Sequence, residues 1–262
     1  MHFIDTHAHL YKEYFPATFK EVVQRAVQED VKQIIVPCVK AANIFELFEA
    51  ADQFPNNLYP LIGLHPTDVN EDYETEVEIL EKYLSDERVV GIGECGLDLY
   101  WDKTYLEAQK IVMKKHLEWA KKYHYALSIH IRDAYAEVIQ LLEKYGTENI
   151  TGVMHCFSGG IQEAKWAVQH DFYLGISGVI TFKNSKLQQI VKEIGLQHLV
   201  LETDAPFLAP VPYRGKTNES AYIPIIAEKV AEIFDTSIET IMEVTTQNSL
   251  NLFPKLSLYS RF

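Results

Sequence analysis

Short apolar runs, each followed by a polar stretch with helical spacing, recur along the whole chain. The runs fall at residues 3–9, 33–39, 59–64, 89–94, 126–130, 152–156, 172–176 and 199–203, which predicts eight strands. Helical spacing occupies residues 19–29, 44–53, 74–84, 105–123, 134–145, 161–169 and 185–194, then 223–234 and a helix pair over 237–252. No Pro/Gly/Ser-rich linker and no low-complexity block interrupts the alternation. The pattern predicts an α/β protein, a single (β/α)8 TIM barrel over residues 1–262, with a doubly wound open sheet as the competing architecture.

The polar residues that close these runs favour the barrel. His7 and His9 close the first run, Glu94 the fourth, His130 the fifth, His155 the sixth and Asp204 the eighth. In a barrel, catalytic groups come from the C-terminal ends of several strands and converge on one mouth. His7 and His9, separated by one residue, project from the same face of an extended strand. Taken singly, each of the six has a plain structural reading, as a satisfied strand-end histidine, a helix cap or an ion-pair partner. Taken together, four imidazoles and two carboxylates form a donor set for Zn, Mn, Mg, Ni or Fe. Six ligands exceed the need of one catalytic ion and predict two divalent ions bridged by a carboxylate, roughly 3.5–4 Å apart.

Composition narrows the partners. A hydrophobic share of 47% with 23% charged residues is that of an ordinary globular protein. No apolar run approaches the roughly 20 residues of a membrane helix, and the N-terminus shows no basic region followed by an apolar stretch. The expectation is a cytoplasmic protein without a membrane partner. Cys38, Cys95 and Cys156, odd in number and widely spaced, predict no disulfide framework and read as small buried hydrophobes. A net charge of −13 repels a polyanion at long range and, by itself, argues against nucleic acid. A pair of bound cations with local basic groups reverses that sign at one site.

At the level of motifs the chain resembles the TatD family of metal-dependent deoxyribonucleases, within the wider metal-dependent hydrolase barrels. The resemblance runs through Asp5-Thr6-His7-Ala8-His9-Leu10, Gly63-Leu64-His65-Pro66, Gly93-Glu94-Cys95-Gly96-Leu97-Asp98, His130-Ile131-Arg132-Asp133-Ala134 and His155-Cys156-Phe157-Ser158-Gly159-Gly160. It continues in Glu202-Thr203-Asp204-Ala205-Pro206 and Arg214-Gly215-Lys216-Thr217-Asn218-Glu219, so it spans nearly the whole chain. It implies that His7, His9 and Asp204 hold one metal and His130 and His155 the other, with Glu94 bridging. The implied activity is hydrolysis of DNA phosphodiester bonds from a 3′ end. Asp204 and Glu94 are the expected catalytic carboxylates, Asp204 orienting a water and taking its proton.

Substrate contacts are expected around the same mouth. Lys103, Arg132, Lys183, Arg214 and Lys216 fall in or near predicted β-to-α loops, with Arg132 and Arg214 the preferred phosphate contacts. Tyr100, Trp101, Phe157, Phe182 and Phe207 are placed to stack on unpaired bases or to pack in the core. His65 is a further expected substrate contact. Asp5 and Glu202 share strand faces with His7 and Asp204, so each is expected to accept a hydrogen bond from a ligand imidazole. Asn218 and Glu219 either order the loop after the eighth strand or are solvated. Two other classes compete with the DNA reading: an amide, lactone or small-phosphoester hydrolase using the same site, and a metal-binding scaffold without turnover. No helix or loop announces an obligate protein partner.

Overall fold

The computed structural model describes residues 1–15 and 18–259. Eight parallel strands lie side by side in chain order: β1 Phe3–Asp5, β2 Val31–Pro37, β3 Leu58–Ile62, β4 Gly91–Asp98, β5 Leu127–Arg132, β6 Gly152–Met154, β7 Phe172–Ile176 and β8 Leu199–Leu201. The ring closes just beyond β8 and β1. There Thr6 donates its amide to the Leu201 carbonyl at 3.0 Å, Asp204 to His7 at 2.9 Å and His9 to Ala205 at 2.7 Å. This is the (β/α)8 barrel, and the open-sheet alternative is excluded by that closure.

The helices are α1 Phe19–Gln28, α2 Ile44–Gln53, α3 Tyr73–Glu81, α4 Leu106–Tyr123, α5 Tyr135–Tyr145, α6 Ile161–Gln169, α7 Leu187–Ile194, α8 Ile223–Phe234 and α9 Ile238–Leu252. Each turns an apolar stripe onto the barrel: α4, for example, buries Val112, Met113, His116, Leu117, Trp119 and Ala120. The stretch expected to form a helix pair is one helix, α9, started by Ser237, whose side chain accepts from the Thr240 amide at 3.2 Å. Among the described residues no helix is long and apolar enough to cross a membrane.

Strand alternation divides the apolar residues between two cores. Phe3, Ile34, Val36, Ile62, Leu199 and Leu201 join the larger core with the helices. Ile4, Ile35, Leu61, Val90, Val153 and Val200 pack instead with Leu252, Phe253 and Leu256 from the end of the chain. Full burial of each such side chain contributes about 1.5–3 kcal/mol. The closing turn is fastened by Lys255, which donates to the Val89 carbonyl and the Tyr125 hydroxyl, both at 2.8 Å. The N-terminal end of the barrel is thereby sealed, and the polar strand ends gather at the other.

Strand ends differ from expectation in ways that shape the site: β6 stops at Met154 and β8 at Leu201, so His155 and Asp204 lie just past them. β1 spans only Phe3–Asp5 rather than residues 3–9, so His7 and His9 lie past the strand on chain held by the Ala8–Ala205 bridge. β4 extends to Asp98, four residues further than expected. Its extension runs close to β5. A Cβ on Gly96 would sit 2.0 Å from the His130 carbonyl oxygen, and φ there is +136°, so only glycine fits.

Candidate metal centre

At the C-terminal mouth the side chains of His7, His9, His65, Glu94, His130, His155 and Asp204 converge. Glu94 stands at the middle, 1% exposed, with its two oxygens facing different partners. Oε2 lies 3.1 Å from His7 Nε2 and 3.4 Å from His9 Nε2. Oε1 lies 2.9 Å from His130 Nδ1, 3.4 Å from His65 Nε2 and 3.9 Å from His155 Nε2. Asp204 Oδ1 adds contacts to His9 at 3.4 Å and His155 at 3.5 Å, and the His7 and His155 rings stack at 3.5 Å.

Among the described residues, three overlapping groups have donor atoms within 4.8 Å of one another and are able to hold metal: His7, His9 and Glu94; His7, His155 and Asp204; His65, Glu94 and His130. The donor set fits divalent ions. Imidazole nitrogens crowd together, His7 and His9 Nε2 being only 3.3 Å apart, and such nitrogens coexist when a cation accepts their lone pairs.

The electrostatics favour ionised carboxylates. Burial alone would raise Glu94 and Asp204, yet the surrounding imidazoles hold both well below the usual carboxylate range. Burial and neighbouring His155 push His7 down to about 4. Burial opposes a charge on His130 as well, but its hydrogen bonds to Asp98 and Glu94 lift it to about 9. His155 is raised against burial by Glu202 and Asp204.

The backbone at the site is held in conformations that side chains rarely adopt. Asp204 has φ +60° and Cys156 φ +44°. The Asp204 conformation is pinned by the hydrogen bond its amide donates to the His7 carbonyl, and that of Cys156 by donation of its amide to Glu202 Oε1. Gly175 on β7 makes room for this carboxylate, since a Cβ there would stand 2.4 Å from Glu202 Oε2.

The partners behind the cluster differ in part from expectation. Glu202 Oε1 lies 3.1 Å from His155 Nδ1. Asp5 touches no imidazole: it accepts the His7 amide at 3.2 Å, the Thr203 amide at 3.0 Å and the Thr203 hydroxyl at 2.6 Å. It lies on the chain's inner side, where it joins the two segments that close the barrel. The ring of His7 is met by Ser128 Oγ at 3.0 Å, and His130 Nε2 by Asp98 Oδ2 at 3.0 Å. Sequence reading passed over both residues, although strand periodicity carries the signal: Asp98 is four residues past Glu94 and Ser128 two before His130.

A cleft of about 700 Å³ opens above the cluster, lined by His9, Glu94, His130, His155 and Asp204 below and by Trp101, Arg132 and Phe207 higher up. The Arg132 guanidinium lies 4.2 Å over the Tyr100 ring and 5.8 Å from that of Trp101. Arg214 lies 4.2 Å over Phe182 and Lys216 5.5 Å over Tyr213, while Lys103 and Lys183 are exposed. Arg132 and Arg214 have no acidic partner among the described residues, on a chain with 37 acidic side chains. Phe207 is 47% exposed, whereas Phe157 is buried against Tyr135 and is no stacking surface. Cys38 and Cys95 are buried, but Cys156 is half-buried and lines the cleft. Asn218 is fully buried and pins the loop after β8 through the Thr203 and Phe207 carbonyls, at 2.8 and 2.6 Å, and Glu219 grips Arg25 of α1 in two contacts of 2.7 and 2.8 Å.

A parallel barrel with imidazoles and carboxylates gathered at the C-terminal mouth is the architecture of a metal-dependent hydrolase. Comparison with known proteins gives the family: residues 4–254 match the TatD related DNase model, and the chain belongs to that family. It is 38% identical over 250 residues to the uncharacterized metal-dependent hydrolase YabD of Bacillus subtilis (strain 168), covering 95% of this chain and 98% of that one. It is 30% identical to YcfH of Escherichia coli (strain K12), another metal-dependent hydrolase, over 97% of this chain and 96% of the relative. The crystal structure of YjjV, a TatD homolog from Escherichia coli K12, superposes with a TM-score of 0.90 at 30% identity, over 96% of this chain and 98% of that one.

Proposed function

We propose that the protein is a cytoplasmic deoxyribonuclease that shortens single-stranded DNA from its 3′ end, with two divalent ions held by His7, His9, Glu94, His130, His155 and Asp204. The observation that carries this reading is Glu94, whose oxygens face two different sets of imidazoles, as a bridging ligand requires. Family membership supports hydrolysis, and the family's description as DNases supports the substrate. Ions bound there would bring the pKa of a water towards neutrality and polarise a phosphoryl oxygen.

The chain's own groups supply the rest. Asp204, facing the cleft, is placed to orient the attacking water and take its proton. His65 Nδ1 accepts the Thr67 amide at 3.2 Å, which turns Nε2 towards Glu94. His65 also lines the cleft, where it is placed to meet the substrate. Arg132, without a carboxylate to neutralise it, meets the backbone phosphate, and Arg214 extends the basic path. Tyr100, Trp101 and Phe207, 54%, 70% and 47% exposed, offer faces to unpaired bases. This local arrangement answers the repulsion expected from a net charge of −13.

The test is turnover of a 5′-labelled single-stranded oligonucleotide by protein stripped of metal and reloaded with Mg, Mn or Zn, beside Asp204→Asn. Stepwise 3′ shortening that needs metal and fails in the variant is the expected result. Metal binding without DNA cleavage would sink the reading and direct the search to amides, lactones and small phosphoesters.

A further inference from the structure

We propose that Asp98 is a positioning residue that couples the His130 side of the metal centre to the Tyr100–Trp101 rim, so that filling the centre fixes the rim that meets the substrate. The inference rests on the metal reading of the cluster. Asp98 ends β4 and is 1% exposed. One of its oxygens, Oδ2, faces His130 Nε2 at 3.0 Å. The other, Oδ1, accepts the amides of Tyr100 at 2.9 Å and Trp101 at 3.2 Å. Its own amide and carbonyl are clamped by the Gln109 side chain of α4, at 3.0 and 3.3 Å. The carboxylate therefore cannot move towards one partner without being felt by the other.

His130 is the link on the inner side. Its Nδ1 faces Glu94 Oε1 at 2.9 Å. An ion taken by Glu94 and Nδ1 leaves the Nε2 proton as the ring's donor and Asp98 as its fixed acceptor, which sets the ring plane. On the outer side Tyr100 and Trp101 pack edge to face at 4.9 Å and carry Arg132 against their rings. Arg132 itself follows His130 by two residues at the end of β5. Large apolar side chains this exposed, grouped beside a cleft, mark a surface with a binding task.

The other two partners behind the cluster lack this reach. Ser128, beside His7, is fully buried, and Glu202, beside His155, is fully buried and spends Oε1 on the Cys156 amide. Asp98 alone of the three holds the backbone of an exposed segment.

The experiment is a titration of metal-free wild type, Asp98→Asn and Trp101→Phe with Zn²⁺ alone, followed by calorimetry, tryptophan emission and hydrogen exchange of residues 99–103. Asparagine keeps an oxygen for the two amides but presents no second acceptor to His130, so it severs one arm only. In wild type, zinc should change an emission component that Trp101→Phe lacks and should slow exchange at residues 99–103. In Asp98→Asn one zinc step should move to about 10- to 100-fold higher concentration, with the emission and exchange responses following it and the other step unmoved. Wild-type affinity for both ions in Asp98→Asn would overturn the proposal. So would zinc binding in wild type that leaves both Trp101 emission and the 99–103 exchange unchanged. Failure of wild type to bind zinc at all would instead overturn the metal reading and this inference with it.

Discussion

The two sides of Glu94 are built differently. His7 and His9, which face Oε2 with side chains 0% and 9% exposed, sit where backbone hydrogen bonds close the barrel, and Asp204 is tied to His7 through such a bond. His65 and His130, with side chains 14% and 19% exposed, depend on side-chain contacts from loops and strand ends, Thr67 for one and Asp98 for the other. The inner side is therefore as stable as the fold, because opening it means opening the barrel. The outer side moves at lower cost, and it is the side whose His130 is tied through Asp98 to Trp101 and lies two residues from Arg132. A hydrolase gains from this division: one side stays fixed while the other adjusts to what it binds.

The largest test removes the group that both sides share. Glu94→Gln is expected to release metal from both sides and to lower DNA turnover by about 10³-fold, within the range for loss of a positioned catalytic group. Metal content by mass spectrometry checks it, and loss from one side alone would break the bridging role given to Glu94. His9→Ala and His130→Ala, measured together, then separate the sides.

A smaller effect concerns the support beneath the outer side. His116 of α4, fully buried, accepts the Leu64 amide at 3.0 Å, one residue before His65. Burial, only partly offset by the Val112 carbonyl, pushes it from 6.5 down to about 4. Between those values the unfolded chain binds a proton that the folded chain does not. Stability contributed by the neutral ring is thus complete above pH 6.5 and falls as the pH drops towards 4, by about 3 kcal/mol in all. Urea unfolding across this window should show a pH slope in wild type that is shallower in His116→Gln. Equal slopes would remove His116 from the account.

Arg132→Ala is expected to raise KM for a short single strand about 10-fold, the scale of one charge-assisted hydrogen bond, with kcat changed less. Because one phosphate contact is lost, the log–log dependence of binding on salt should flatten by about 0.7. An unchanged salt slope would place the phosphate elsewhere. The smallest expected effect is that of Lys183→Ala, an exposed residue outside the cleft, which should stay within about two-fold of wild type.

Much of this comparison is written in local sequence. The alternation of apolar runs with helical spacing specifies strands followed by helices, and polar residues at run ends point to one mouth, because both follow from short-range periodicity. That reasoning reached His7, His9, Glu94, His130, His155 and Asp204 as a group. It misjudged the length of β1 and β4 and the helix pair at 237–252, since element ends depend on what packs against them.

What the tertiary structure alone decides is which residue stands behind which. Ser128 meets His7 across 121 positions of sequence, and His116 meets Leu64 across 52. Asp5 shares a local pattern with His7 and yet turns to Thr203, 198 residues away, to close the ring. Such pairings follow from strand register and from how helices seat on the barrel, which no local window contains. The sequence by itself thus determined the fold class and the residues that gather at its mouth. The register of the closed barrel decided how they are divided between a buried side and an open one.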